Sequence, residues 1–147
     1  MLIEALGATP RDLARMLRRV TPHAALRRPD PAGWCVADLL AHLSFCEEHY
    51  LARLRRIVEQ DQPHEPAFPN DPGGHPVDQP LAELAASFAE RRATTIAFLS
   101  GLAQEEWGRS FVHPTLGPSR LRDQVQAIVA HDNEHLEQLT ILREQIL

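Results

Sequence analysis

The sequence contains no lysine, so its 15 Lys+Arg side chains are all arginines. A Schiff base with a carbonyl substrate or with pyridoxal phosphate needs a lysine amine. The phosphate loop of an NTPase and the ATP site of a protein kinase each use a lysine as well. The absence of lysine therefore excludes Schiff-base enzymes, P-loop NTPases and protein kinases.

Cysteine is scarce, and long apolar runs are absent. The two cysteines, Cys35 and Cys46, form no CxxC pair and fall far short of the density of a disulfide scaffold. No stretch approaches the roughly 18 consecutive apolar residues of a transmembrane helix, and the amino-terminal residues lack the pattern of a signal peptide. We therefore expect a cytoplasmic protein with reduced cysteines and no membrane partner.

Charge and length limit the possible partners of the protein and its number of domains. The chain has 20 Asp+Glu against 15 arginines, a net charge of -5, whereas nucleic-acid binding typically needs a clustered positive surplus. We therefore expect no nucleic-acid partner. The 147 residues match the size of one domain, residues 1–147, which can bury a core without disulfides.

Four segments have apolar residues at intervals of three and four, the spacing of amphipathic helices. Thr9 and Pro10 resemble a helix cap and a first-turn proline, so the first helix begins either near residue 2 or at this pair. Ser119 is the predicted cap of the last helix. The predicted helices cover residues 2–20, 35–60, 80–100 and 120–147.

Proline and glycine interrupt the helical pattern. Residues 61–79 contain five prolines and two glycines, which excludes a regular element and predicts a long crossover loop. Residues 102–118 form a turn-rich connection with room for a short extended piece. Four amphipathic helices and one long connection predict an all-α fold, a four-helix bundle with a proline-rich crossover after its second long helix.

Histidine is abundant, with eight residues, and three of them lie where the bundle pattern expects inward-facing side chains. His131 and His135 are one turn apart on one helix face, a spacing that lets two imidazoles bind one metal ion. His42 has a corresponding place on the second predicted helix. Three imidazoles in a core need either three separate hydrogen-bond partners or one shared metal ion.

Each of these features also has an ordinary structural interpretation. A single histidine is often a hydrogen-bonded residue at the edge of a core, and a pair at this spacing arises by chance in a histidine-rich chain. Cys46 is either a fourth ligand or, as we favour, a small buried residue. Asp38 and Asp132 are candidates for orienting the ligands, although exposure on a helix surface is favoured for both. The remaining assignments are surface or loop positions for His49, His64 and His75, and packing for Trp34 and Trp107.

Four segments of the chain resemble the DinB-like superfamily, which includes YfiT-type metal-dependent hydrolases and the metal-binding part of mycothiol-dependent maleylpyruvate isomerases. In that family one histidine follows a tryptophan by eight positions, as His42 follows Trp34, and two more lie four apart on the last helix, as His131 and His135 do. The resemblance covers nearly the whole chain and implies a four-helix bundle with a metal site at these three histidines. The segments are GWCVADLLAHL (33–43), ERRATTIAFLSGLAQEEW (90–107), HPTLGPSRLRDQV (113–125) and AHDNEHLEQL (130–139).

The resemblance also implies a cofactor and an activity. A divalent metal ion is expected, with zinc or nickel favoured among the metals that imidazole binds. Some members of the family use a low-molecular-weight thiol, and a homodimer is implied as well. Three protein ligands leave coordination positions for water or substrate. We therefore predict a metal-dependent enzyme, either a hydrolase or a thiol-dependent transferase or isomerase, that acts on an unidentified small molecule.

Two other functions are compatible with the sequence. The first is a non-catalytic metal-binding or stress-associated protein with the same three histidines. The second is a helical interaction module that dimerises through its apolar faces, with the histidines as ordinary core residues. Metal occupancy separates the interaction module from the other two, and turnover separates an enzyme from a metal-binding protein without activity. No motif identifies a nucleophile or a general base.

Overall fold

The computed structural model describes residues 1–71 and 79–147, which are mainly helical. Among the described residues, no helix combines the length and apolar character that a membrane crossing requires. The helices are α1 (Leu2–Met16), the short α2 (Pro22–Ala25), α3 (Val36–Glu59), α4 (Leu81–Ser100) and α5 (Leu121–Ile146). A 3-10 turn (Gln104–Gly108) and an antiparallel hairpin of β1 (Ser110–His113) and β2 (Gly117–Arg120) connect α4 to α5.

The four long helices form the predicted four-helix bundle. Helix α1 packs against α4 and α5, and α3 packs against the same two helices. The order around the core is therefore α1, α4, α3, α5. The short extended piece expected within residues 102–118 is the hairpin, which begins at Ser110 and packs beside the start of α5.

The connection after α3 lies along the hairpin. Residues 61–71 contain no helix, and residues 72–78 of the predicted crossover lie outside the described residues. The Glu65 backbone N–H donates to the Val112 carbonyl at 2.9 Å, and the Val112 N–H donates to the Pro63 carbonyl at 2.9 Å. These two bonds attach the first part of the crossover to β1.

Helix α1 begins well before Thr9 and Pro10, so the alternative start at this pair is wrong. Pro10 lies inside the helix, where it has no N–H to donate to the Leu6 carbonyl. Nη1 of Arg92 donates to that carbonyl instead, at 2.9 Å. The Thr9 hydroxyl does not cap the helix but donates to Asp132 at 2.7 Å. Tertiary contacts thus replace the hydrogen bond that proline removes.

The cap of α5 also differs from the prediction. The Asp123 carboxylate accepts a hydrogen bond from the Arg120 backbone N–H at 2.8 Å, which satisfies one of the donors left free at a helix start. Ser119 lies in β2, and its hydroxyl donates to the Gly117 carbonyl at 3.0 Å. Ser119 is therefore not the cap, because the hairpin continues up to the first residue of the helix.

A buried polar layer separates two apolar clusters of the core. Each long helix contributes one side chain to it: Thr9 from α1, Glu47 from α3, Arg92 from α4 and Asp132 from α5. Along every long helix, this polar residue separates the residues of one apolar cluster from the residues of the other. One cluster includes Leu13, Leu40, Phe88 and Leu139, and the other includes Leu6, Leu54, Leu99 and Ile128.

Candidate metal centre

Two neighbouring helices supply three histidines that face one another. His42 lies near the start of α3, and His131 and His135 lie one turn apart in the middle of α5. One ring nitrogen from each histidine lies within 4.8 Å of the other two. The structure therefore brings together all three residues that the sequence predicts as metal ligands.

The rings of His131 and His135 face each other through their Nε2 atoms, which are 3.0 Å apart. Nδ1 of His135 lies 2.9 Å from Oε1 of Gln138. Because an amide oxygen only accepts hydrogen bonds, the His135 proton lies on Nδ1 and its Nε2 carries a lone pair. This lone pair is directed at Nε2 of His131, so the short separation requires a proton or a metal ion between the two nitrogens.

His42 has a comparable partner from the crossover. Its Nδ1 lies 2.8 Å from Oδ2 of Asp71. A carboxylate accepts the hydrogen bond, so in the neutral form of His42 the proton lies on Nδ1 and Nε2 carries the lone pair. Such an acceptor behind a histidine is the usual way in which a metal ligand is oriented.

Two aromatic side chains border the three histidines. The Trp34 ring lies 4.6 Å from His42 and 6.0 Å from His135, nearly parallel to the latter at 15°. Tyr50 meets His131 edge-on at 5.6 Å. Trp34 is 36% exposed, so one side of the group reaches solvent. Trp34 does pack, as predicted, but against two histidines at the surface rather than in the apolar core.

Burial favours the neutral form of the paired imidazoles. Burial, followed by the neighbouring rings of His135 and His42, lowers the pKa of His131 to about 4. Burial likewise lowers the pKa of His135, although its hydrogen bond with Gln138 acts in the opposite direction. Neutral imidazole is the form that binds metals, so both rings are ready to act as ligands at neutral pH.

The donor set suits a divalent transition metal. Imidazole binds zinc at about 2.0–2.1 Å, which places two nitrogens of a tetrahedral site about 3.4 Å apart. The 3.0 Å between Nε2 of His131 and Nε2 of His135 is shorter than this separation, so binding of one ion needs a small outward shift of the two rings. Three nitrogen donors fit zinc, nickel, copper or iron better than magnesium or calcium, which prefer oxygen.

Cys46 is a neighbour of the three-histidine group and not one of its members. Its Sγ lies 3.3 Å from Nε2 of His42, and the residue is buried. Burial raises the pKa of the thiol to about 12, and the charges of Asp71 and Glu47 act in the same direction. In the metal-free protein the thiol therefore stays protonated and is a poor nucleophile. The burial that the favoured prediction expects of Cys46 is observed.

The two carboxylates expected at the surface are buried. Asp38 is 7% exposed and Asp132 is 2% exposed. Asp38 accepts a hydrogen bond from Nη2 of Arg28 at 3.2 Å, and Asp132 binds the guanidinium group of Arg92 with both oxygens. The favoured prediction of exposure is wrong, because each acid has an arginine partner that offsets the cost of burying its charge.

Asp71 and Gln138 also belong to the site, although neither is among the residues predicted from the sequence. Gln138 follows His135 by three positions on one helix, a spacing that predicts contact. Asp71 is 29 positions from His42 and lies in an irregular segment, where no periodicity indicates its direction.

Of the other assignments, His64 is exposed, His49 lies against Phe45 and Phe68, Trp107 packs at the second apolar cluster, and His75 lies outside the described residues.

The fold is similar to those of several solved proteins. YfiT from Bacillus subtilis, described as a probable metal-dependent hydrolase with an unusual four-helix bundle topology, has a TM-score of 0.79 at 19% identity. That match covers 98% of this chain and 85% of YfiT. TT2238, described as a four-helix bundle protein, has a TM-score of 0.70 at 18% identity, covering 95% of this chain and 96% of TT2238. The DinB-like protein YjoA from Bacillus subtilis has a TM-score of 0.64 at 15% identity, covering 97% of this chain and 90% of YjoA.

The sequence also matches a family model. The model describes the DinB superfamily and aligns with residues 5–139 of this chain, which is most of its length. A search of curated proteins gave no match. The match to the family model confirms the resemblance seen in the four sequence segments, and the chain belongs to the DinB superfamily.

Proposed function

We propose that this member of the DinB superfamily is a metal-dependent enzyme that acts on a small molecule, with His42, His131 and His135 as the metal ligands. The facing Nε2 atoms of His131 and His135, 3.0 Å apart, are the observation that carries this proposal. Gln138 holds the His135 proton on the opposite nitrogen. A cation is one of the two species that this separation permits, and the third imidazole within 4.8 Å, His42, favours it over a proton, which bridges only two nitrogens.

The number of ligands supports a catalytic role. Structural zinc sites usually have four protein ligands, whereas catalytic sites have three and keep a position for water or substrate. The exposed edge at Trp34 provides a route by which a small molecule can reach that position. When bound, a divalent cation lowers the pKa of a coordinated water or polarises a carbonyl group.

The chain's own residues prepare the site for this chemistry. Asp71 and Gln138 orient two of the ligands through their Nδ1 atoms. Burial keeps His131 neutral, so that its lone pair is available. Trp34 and Tyr50 flank the rings and shield them from part of the solvent. Ligand orientation and partial exclusion of water both strengthen metal binding.

Hydrolysis is the reaction class that we favour, and zinc or nickel is the proposed metal. YfiT, which shares the fold, is described as a probable metal-dependent hydrolase. Neutral imidazoles suit both metals, and the supply in the cell decides which one is bound. His42, His131 and His135 would hold the cation, which would supply activation of water for hydrolysis, since no side-chain nucleophile is evident in the sequence.

A turnover screen tests the proposed function. Protein loaded with zinc or nickel is assayed with nitrophenyl esters, anilides and phosphate esters. It is also assayed with glutathione and electrophilic compounds that can accept its thiol. Chelated protein and loaded His135→Ala serve as negative samples, and loaded His64→Ala is the matched control because His64 is exposed on the crossover.

We expect turnover by the loaded wild type and by His64→Ala, and loss of turnover in chelated protein and in His135→Ala. Turnover that is the same in His135→Ala as in the wild type contradicts the proposal. A metal-loaded protein that turns over none of these classes favours the non-catalytic metal-binding alternative.

A further inference from the structure

The crossover reaches the three-histidine group through Asp71. Its carboxylate Oδ2 lies 2.8 Å from Nδ1 of His42, and the two side chains are 25% and 18% exposed. Within α3, the nearby Sγ of Cys46 is 3.9 Å from the same nitrogen, too far for a strong hydrogen bond. In a partly shielded position, a carboxylate is a stronger acceptor than a neutral group or water.

This contact determines which nitrogen of His42 can bind a metal. A neutral imidazole carries its proton on either nitrogen, and only the unprotonated nitrogen is a ligand. The Asp71 carboxylate stabilises the proton on Nδ1 and therefore leaves the lone pair on Nε2. Without the carboxylate, the proton spends part of its time on Nε2 and the ring loses the contact that sets its rotation. Both changes reduce metal affinity.

The crossover is attached to α3 shortly before Asp71. The guanidinium carbon of Arg53 lies 3.9 Å from the Phe68 ring centroid, and its Nη2 donates to the Pro66 carbonyl at 2.7 Å. Phe68 is three positions before Asp71, and Arg53 lies on the helix that carries His42. Asp71 thus extends from a backbone that is tied to the same helix as the histidine it contacts.

We propose that Asp71 is a positioning residue of the metal centre, which fixes His42 in the tautomer and orientation that present Nε2 to the metal. The proposal rests on the metal function proposed above and deepens it. Asp71 is not in the group of ligand atoms within 4.8 Å of one another, so its role differs from that of the three histidines. Metal affinity therefore depends on a carboxylate that does not itself bind the metal.

The first measurement compares zinc affinity, by competition with a chromophoric chelator, in wild type, Asp71→Ala, Asp71→Asn and Asp61→Asn. Removal of a residue that orients a metal-binding histidine typically costs 10–100-fold in affinity, and we expect a loss of about this size in Asp71→Ala. Asp71→Asn should lose less, because its amide oxygen can still accept from Nδ1. Asp61 is an exposed acid of the same crossover, so Asp61→Asn should match the wild type.

The second measurement reads the tautomer of His42 in metal-free protein from proton–nitrogen NMR correlations of the labelled imidazole. We expect the Nδ1-protonated pattern in wild type and Asp61→Asn, and a shift toward the Nε2-protonated pattern in Asp71→Ala. A residue that acts only on the general fold does not change this ratio in a variant that remains folded, which circular dichroism verifies.

The outcomes separate this proposal from the proposed function. If wild type binds zinc and a folded Asp71→Ala binds it equally well, the role of Asp71 is overturned and the metal function stands. If Asp71→Ala binds zinc more weakly while His42 keeps its tautomer, the positioning role is also overturned. If wild type binds neither zinc nor nickel, the metal function itself is overturned, and the role of Asp71 with it.

Discussion

The guanidinium group of Arg92 binds both carboxylate oxygens of Asp132, with Nη1 2.7 Å from Oδ2 and Nη2 2.9 Å from Oδ1. It also binds both oxygens of Glu47, at 2.8 and 2.9 Å. One buried cation therefore faces two buried carboxylates, and this network joins α3, α4 and α5 in the centre of the bundle.

Replacement of Arg92 by methionine should strongly destabilise the protein. The change leaves Glu47 and Asp132 buried without a cation, and breaking a buried pair in this way typically costs about 3–5 kcal/mol. The free energy of unfolding, measured by urea denaturation at neutral pH, reports the loss. Arg91→Met is the matched control, since Arg91 and its partner Glu48 are exposed and such a pair contributes about 0–1 kcal/mol. Equal effects of the two substitutions would contradict the central role of Arg92.

Metal-free protein should lose stability as the pH falls from 6.5 toward 4. The pKa of His131 is lowered from 6.5 to about 4 in the folded state, so within this range the unfolded chain binds a proton that the folded chain does not. The free energy of unfolding therefore decreases with falling pH, by on the order of 3 kcal/mol from this residue.

The contribution of His131 is obtained by comparison with His131→Gln. Both proteins contain the same carboxylates, so acid effects shared by the two cancel in the difference between their denaturation free energies. We expect this difference to change between pH 6.5 and 4 and to be constant above pH 7.5. A difference that is independent of pH would show that the ring titrates normally in the folded protein.

Trp34 should report metal binding through its fluorescence. Its indole contacts two of the predicted ligands, so Cu²⁺ bound to the histidines should quench it, with saturation near one equivalent. Trp107 lines the same pocket as Arg122, which lies more than two helical turns before His131 on α5. The Trp34→Phe variant should therefore lose the quenching, and Trp107→Phe should retain it. The reverse pattern would place the bound ion elsewhere.

Glu65 should contribute to stability by neutralising arginines under the crossover. Its buried carboxylate accepts hydrogen bonds from Arg56 at 2.6 and 3.0 Å and lies 3.6 Å from Nε of Arg53, which is 3% exposed. Glu65→Ala leaves Arg53 buried without a carboxylate, and we expect a loss of about 3 kcal/mol in thermal or urea denaturation. Glu59→Ala, at an exposed position, is the control and should have little effect.

The four-helix bundle is predictable from the sequence because apolar spacing follows directly from helix geometry. The ends of the helices are less predictable. Pro10 looks like a first-turn proline, and only the contact between Arg92 and the Leu6 carbonyl explains why α1 continues through it. The burial of Asp132 also depends on a tertiary contact with Arg92. Burying a carboxylate costs less free energy when an arginine from another helix lies beside it.

Helix geometry also makes part of the histidine group predictable. The four-residue interval between His131 and His135 is local, and the position of His42 follows from the core-facing stripe of its helix. The contact between His42 and Asp71 depends on the path of an irregular segment, which residue spacing does not determine. The three candidate ligands are therefore predictable from the sequence, whereas the carboxylate that contacts one of them is not.

Metal content is the most direct test of the central claim that His42, His131 and His135 form a metal site. Untagged wild type, His135→Ala and His64→Ala are reconstituted with zinc or nickel, dialysed to remove loosely held ions and submitted to elemental analysis. We predict close to one equivalent in wild type and His64→Ala, and little in His135→Ala. Absence of metal from the wild type, or equal content in His135→Ala, would contradict the account.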